Sequence, residues 1–187
     1  MRHTSFAVLL LLITACGDDP AFDSGVPGNR PLSELSSSDG ERFCISFSDY
    51  LFEIFSAQRV TRMSCTLGGI AAETISGVAG QCEVARDACI EEQMDESPGL
   101  DIGDCDGAQI ASEFVGCDAT VSELEHCLSD LGASLKSLMN SVSCSLADDP
   151  ERAEAIDDEL EDMFATERQP ASCAELNRKC PEFNIFE

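Results

Sequence analysis

Cysteine offers more chemistry than any other residue type in this chain. Eleven of its 187 residues are Cys. Ten of them, Cys44, Cys65, Cys82, Cys89, Cys105, Cys117, Cys127, Cys144, Cys173 and Cys180, are spread through the body of the chain, and Cys16 stands apart near its start. A thiol can oxidise to a disulfide, hold a soft metal ion, act as a nucleophile or be acylated. Cysteine metal sites favour a Cys-x-x-Cys pair or histidine co-ligands. The chain has no such pair and only two histidines, His3 and His126, so no zinc or iron–sulfur site is expected. Ten is an even number. In an oxidising compartment it predicts five disulfides.

Cys16 has its own context. Arg2 is followed by the apolar run from Phe6 to Ile13, then Thr14, Ala15 and Cys16. This is the plan of a secretory signal peptide, and the run falls short of the roughly 20 residues that span a bilayer. The stretch Ile13-Thr14-Ala15-Cys16 resembles the lipobox of bacterial lipoproteins. That resemblance implies removal of residues 1–15 and acylation of the Cys16 thiol by palmitate-type chains. The mature protein then begins at Cys16 and meets the membrane through N-terminal acyl chains. Setting Cys16 aside is also what leaves the other cysteines even in number. In enteric lipoproteins an Asp directly after the lipidated Cys retains the protein in the inner membrane. Here Gly17 follows and Asp18 comes next, which favours the outer membrane.

Catalytic chemistry has few candidates. After cleavage His126 is the only histidine, and on the heptad described below it faces away from the core. No Gly-x-Ser-x-Gly, His-Glu-x-x-His or phosphate-binding glycine loop occurs. Secreted phospholipases A2 are helical and disulfide-rich, but their Cys-Cys-x-x-His-x-x-Cys helix is not matched by Glu125-His126-Cys127. Carboxylates are too abundant for a glycosidase-like pair to stand out. The expectation is no catalytic residue and no cofactor. One acidic stretch, Ile102-Gly-Asp-Cys-Asp-Gly107, partly resembles an EF-hand or dockerin calcium loop. Asp104, Asp106, Gly107 and Glu113 would fill positions 3, 5, 6 and 12, with Ile102 where the first ligand belongs.

The charge excludes one class of partner. Thirty-six Asp and Glu face eleven Lys and Arg, a formal charge of −25 that becomes −26 when Arg2 is removed. Such a chain repels nucleic-acid phosphates. It also repels anionic headgroups, so membrane attachment must come from acyl chains rather than a basic patch.

The elements that position these residues read as helices. Residues 17–40, rich in Pro, Gly, Ser and Asp, have no period and are expected to be a flexible tether spanning roughly 25–30 Å. Phe43, Phe47, Tyr50, Leu51 and Ile54 recur at helical spacing and predict a helix from Glu41 to about Met63, capped by Ser38 or Asp39. Thr66 to Gly80 is rich in small residues and is compatible with a loop or a short packed helix. A further helix carries Cys82 and Cys89, and a short one spans Ala108–Val115. Thr120-Val-Ser-Glu123 is a capping box. Behind it Val121, Leu124, Leu128, Leu131, Leu135, Leu138 and Val142 form a seam over three heptads, the expected central helix, with Gly132 as a place for it to bend. Asp148-Asp149-Pro150 starts another helix, and Pro170 to Pro181 holds a last one. Cysteines seven apart share a helix face but lie too far apart to bond each other. Pairing Cys82 and Cys89 with Cys173 and Cys180 is one arrangement among about 945.

These expectations make three segments: a signal peptide over 1–15, a lipidated Cys and tether over 16–40, and a disulfide-rich domain over 41–187. The domain is expected to be all-α, a disulfide-stapled bundle of about five helices. Phe43-Cys44 opening a helix and Val121-Ser-Glu-Leu-Glu-His-Cys127 within one resemble the cysteine-rich helical lipoproteins of myxobacteria and related predatory bacteria. That resemblance implies architecture and an envelope location, with no assigned activity. Saposin-like domains use six cysteines in about half this length. The expected function is a lipid-anchored structural or protein-interaction module of the cell envelope. The alternatives are a calcium- or small-ligand-binding periplasmic module and a hydrolase without a recognisable motif.

Overall fold

The structure, a computed structural model, describes residues 21–93, 104–164 and 169–181. Among the described residues it has seven α-helices and no strand: α1 (Ser37–Ile54), α2 (Ala57–Ser76), α3 (Gln81–Gln93), α4 (Gly107–Glu113), α5 (Val121–Ser141), α6 (Pro150–Phe164) and α7 (Ala171–Lys179). Short 3₁₀ turns span Leu32–Glu34 and Cys144–Ala147. The all-α, disulfide-stapled bundle matches expectation, and the helix boundaries differ in places from those the periodicity predicts.

The long helix expected over 41–63 starts earlier and breaks. Ser36 is its N-cap, its hydroxyl accepting from the Asp39 backbone N–H while the Asp39 carboxylate accepts from Ser36. α1 stops at Phe55, and α2 restarts after Ser56 and runs through the small-residue stretch to Gly77, whose positive φ closes it. Helix ends leave backbone carbonyls without partners. Here Arg59, in the first turn of α2, donates to the carbonyls of Glu53 at 2.9 Å and Ile54 at 2.6 Å. A cation at the C-terminal end of a helix is also favoured by the helix dipole.

The tether is the clearest correction. Residues 16–20, Cys16 included, lie outside the described residues, but from Phe22 onward the chain is a strap packed on the bundle. Phe22, Ser24, Val26 and Leu32 are all buried. The Phe22 ring meets Phe43, Phe47 and Tyr50 at 5.5, 5.8 and 5.3 Å between centroids. Burying such a ring stabilises by roughly 1.5–3 kcal/mol, enough to hold a short segment that has no period of its own. The strap also covers the start of α5. The N–H groups of Val121 and Ser122 donate to the carbonyls of Arg30 and Gly28, and Leu32 N–H donates to Ala119. Those N–H groups have no partner within the helix, so the strap supplies what the helix lacks.

α5 is central, as its seam predicts, touching α1, α2, α6 and α7. Its capping box is formed by Thr120 and Glu123. Val121, Leu124, Leu128, Leu131 and Leu138 are buried, with Leu135 and Val142 half-buried. α2 and α3 pack as a hairpin, α1 lies along α4, and α7 lies along α5. Gly132 lies within the unbroken α5. It lets α1 approach, since a Cβ there would stand 2.2 Å from Tyr50 Oη and 2.6 Å from Ile54 Cδ1.

Candidate functional site

All ten body cysteines are bonded within the chain. The pairs are Cys44–Cys105, Cys65–Cys89, Cys82–Cys144, Cys117–Cys180 and Cys127–Cys173. The expected number of disulfides is therefore present, with a connectivity that spacing did not reveal. The suggested pairing of Cys82 and Cys89 with Cys173 and Cys180 is absent. Cys82 and Cys89 sit on α3, whose neighbour is α2, whereas Cys173 and Cys180 belong to the helix that lies along α5. Four bridges tie a helix to a segment packed beside it, and Cys117–Cys180 joins the loop before α5 to the C-cap of α7.

The acidic stretch around Asp104 is not gathered into one ligand set. Asp106 is the N-cap of α4, its carboxylate accepting from the N–H groups of Ala108 at 2.9 Å and Gln109 at 3.2 Å. Cys105 is bridged to Cys44. Gly107 is placed for helix packing, because a Cβ would fall 2.0 Å from the Ser37 carbonyl oxygen of α1. Glu113 ends α4, about 10 Å of helix rise from Asp106, too far to share a cation bound at roughly 2.3–2.6 Å. No group of three or more His, Cys, Asp or Glu among the described residues is placed to hold a metal ion. His126 lies on the outer face of α5, its side chain 72 % exposed, with Asp130 at 3.6 Å.

A site the sequence did not single out lies elsewhere. A cleft of about 390 Å³ opens between α2, α3 and the end of α5. That is within the range of small-molecule sites, about 300–1,000 Å³. Arg59 and Arg62 reach it from α2 and Arg86 from α3, three of the eleven Lys and Arg in the whole chain. Arg59 is held by the α1 carbonyls. Arg86 is paired with Asp87, Nε to Oδ1 at 2.9 Å and Nη2 to Oδ1 at 2.8 Å. Arg62 is exposed, its carbonyl accepts from Thr66 Oγ1 at 2.7 Å, and its guanidinium has no partner among the described residues. Met63, Ile90, Met139 and Val142 line it together with Thr66, Asp87, Asn140 and Ser143. Two disulfides fix those walls, Cys65–Cys89 joining α2 to α3 and Cys82–Cys144 joining α3 to the turn after α5. The only hint in the sequence is the Arg59-x-x-Arg62 spacing, one helical turn, in a chain where cations are rare.

Two carboxylates are held below the ordinary range, both at helix starts. Glu123 is lowered first by the Lys179 ammonium and then by the Thr120 N–H and hydroxyl. Asp39 is lowered first by the Ser36 hydroxyl, then by the Ser36 N–H and the Arg30 guanidinium. Both serve as caps. No helix among the described residues is long and apolar enough to cross a membrane. No protein-family model, curated protein or solved structure matches this chain.

Proposed function

We propose that this is an exported, lipid-anchored protein of the bacterial cell envelope, favouring the outer membrane, whose helical domain works by non-covalent binding. One observation carries the reading. Every cysteine from Cys44 to Cys180 is used in an intramolecular disulfide, so Cys16 is the one thiol left for another chemistry. Five disulfides in a chain of this size fit an oxidising compartment, and the run ahead of Cys16 fits a signal peptide. With a −26 surface after cleavage, acyl chains are the means of attachment that electrostatics does not oppose. The strap from Phe22 shortens the reach of the anchor, leaving only residues 17–21 between Cys16 and packed structure. The domain would then sit close to the headgroups rather than at the end of a long tether.

The test is metabolic labelling with an alkyne fatty acid in a bacterial host. The expected result is label on the wild-type chain, partition into the detergent phase, and loss of both in Cys16→Ser. A Cys16→Ser chain that stays labelled and membrane-bound would overturn the anchor.

Within the binding role two readings stand, an interaction module and a ligand-binding one. The arginine cleft favours the second, because a concave, disulfide-braced site of that size with an unpaired cation is suited to a small molecule.

A further inference from the structure

We infer that the cleft between α2, α3 and the end of α5 binds a phosphomonoester, a doubly charged phosphate head on a hydroxylated body of the sugar-phosphate class. The charge of the lining sets the head. The guanidiniums of Arg59, Arg62 and Arg86 meet one carboxylate, that of Asp87, which leaves a net charge of +2 in a chain whose formal charge is −25. That excess lies on the α2 wall. Arg86 of α3 is engaged by Asp87 through Nε and Nη2 and by Cys144 Sγ through Nη1. Arg59 meets the α1 carbonyls through Nη1 alone, so its Nε and Nη2 have no partner among the described residues. The Arg62 guanidinium has none at all there. The two residues stand one helical turn apart, with about 5–6 Å between Cβ atoms. A phosphomonoester carries close to two negative charges at neutral pH and three acceptor oxygens, enough for two neighbouring forks. A lone carboxylate has one charge and two oxygens, and leaves one of the two arginines unmatched.

The other walls select what the head is attached to. Asp87 lines the cleft from α3, and a second anionic group placed there would be repelled, so both charges belong on one head. A dicarboxylate, which spreads them, fits worse. The Asp87 carboxylate accepts hydrogen bonds, the Asn140 amide donates and accepts, and so does the Ser143 hydroxyl, a set that suits ligand hydroxyls rather than an apolar tail. An extended polyanion would meet the excess of carboxylates beyond the cleft, whereas a compact dianion is enclosed by it. The bridges Cys65–Cys89 and Cys82–Cys144 fix the walls before the ligand arrives, which lowers the ordering cost of binding.

This rests on the ligand-binding reading, deepens it, and does not depend on the anchor. The test is calorimetric titration of the exported full-length chain carrying Cys16→Ser, with its disulfides formed, so the lipidation result stands or falls separately. The probes are glucose 6-phosphate and glycerol 3-phosphate. Expected is saturable binding of at least one of them. Gluconate, a monoanion on a similar body, malate, glucose and inorganic phosphate should each be at least about tenfold weaker, the scale of one charge-assisted contact. Arg62→Gln should weaken the phosphomonoester by about tenfold or more with an unchanged circular dichroism spectrum, since the Arg62 guanidinium has no partner in the described fold. Arg178→Gln on α7, outside the cleft lining, should change nothing. Full affinity in Arg62→Gln would overturn the inference, as would inorganic phosphate binding as tightly as the esters. Binding of gluconate or malate alone, lost in Arg62→Gln, would overturn the phosphomonoester and leave the ligand-binding reading standing. No saturable heat with any of these at millimolar concentration would overturn the inference and take the ligand-binding reading with it.

Discussion

The two halves of α5 face different kinds of interior. The N-terminal half, with the strap, α1, α4 and α7, shares a core of sixteen buried residues that includes an edge-to-face aromatic cluster of Phe22, Phe43 and Phe114. The C-terminal half, with α2, α6 and the Cys144–Ala147 turn, gathers Leu131, Leu138, Leu146 and Ile156 among the residues whose burial is described. The first region is held mostly by apolar burial. The second shows fewer buried apolar side chains among the described residues, leaves Leu67, Ile75, Val78 and Val84 exposed, and is where the cleft opens. A small core rarely holds a unit of this kind together alone, so in the second region the cross-links carry a larger share.

The strongest way to break this comparison is to remove the bridge that ties α3 to the turn after α5. Cys82–Cys144 closes a loop of 62 residues. By the loop-entropy relation its loss should cost about 4 kcal/mol. For Cys82→Ser with Cys144→Ser, hydrogen exchange should show lost protection concentrated in α2 and α3, while α1 and the first half of α5 keep theirs. Uniform loss across all helices would mean that the two regions unfold as one unit and that the difference in their cores has no consequence.

A smaller effect sharpens the boundary between the regions. Gly132 sits where α1 crosses α5, and an added Cβ would collide with Tyr50 and Ile54. Gly132→Ala should destabilise by about 2 kcal/mol, the usual cost of overpacking. Gly68 lies in α2 with nothing within 4 Å of an added Cβ. There the same change should stabilise by about 0.5–1 kcal/mol, since glycine is a poor residue for a helix interior. Urea denaturation of the two variants measures both. Equal effects of one sign would show that neither environment has been described correctly.

What the sequence made legible follows the same division by physical cause. The α5 seam and its capping box were readable because each is a local pattern with a fixed period or spacing, and Leu124, Leu128 and Leu131 are buried where the heptad puts them. The number of disulfides was readable from parity alone. The strap was not, because Phe22, Val26 and Leu32 stand among Pro, Gly and Ser residues with no helical period, and their burial depends on α1 and α5, far along the chain. The break at Phe55 was hidden because the apolar stripe continues through it, and only Arg59 folding back onto Glu53 and Ile54 marks the end. Disulfide partners and the cleft were invisible for a shared reason. Both are made by packing between elements, as α2 against α3 and α3 against the turn after α5 make the cleft and two of the bridges, which no spacing within one helix encodes.

The mildest test is pH. Asp39 and Glu123 cap α1 and α5, and their carboxyls titrate below the ordinary range. A group lowered in the folded state binds fewer protons there than in the unfolded chain, so it contributes stability above its unfolded pKa of about 4. That contribution is lost as pH falls from about 5 through the folded values. Both groups belong to the first region, at the two helix starts beside the strap. Glu123 and Lys179 are each about one-third exposed, so solvent and salt screen part of the effect and it should shrink in high salt. Acid should therefore loosen the aromatic region first, the reverse of the disulfide lesion, with protection in the first turns of α1 and α5 falling before that of α2. Glu123→Gln should flatten the dependence of stability on pH between about 5 and 3. If acid instead released α2 and α3 first, the caps would have little weight, and the α2–α3 region would be the weaker of the two even with its bridges intact.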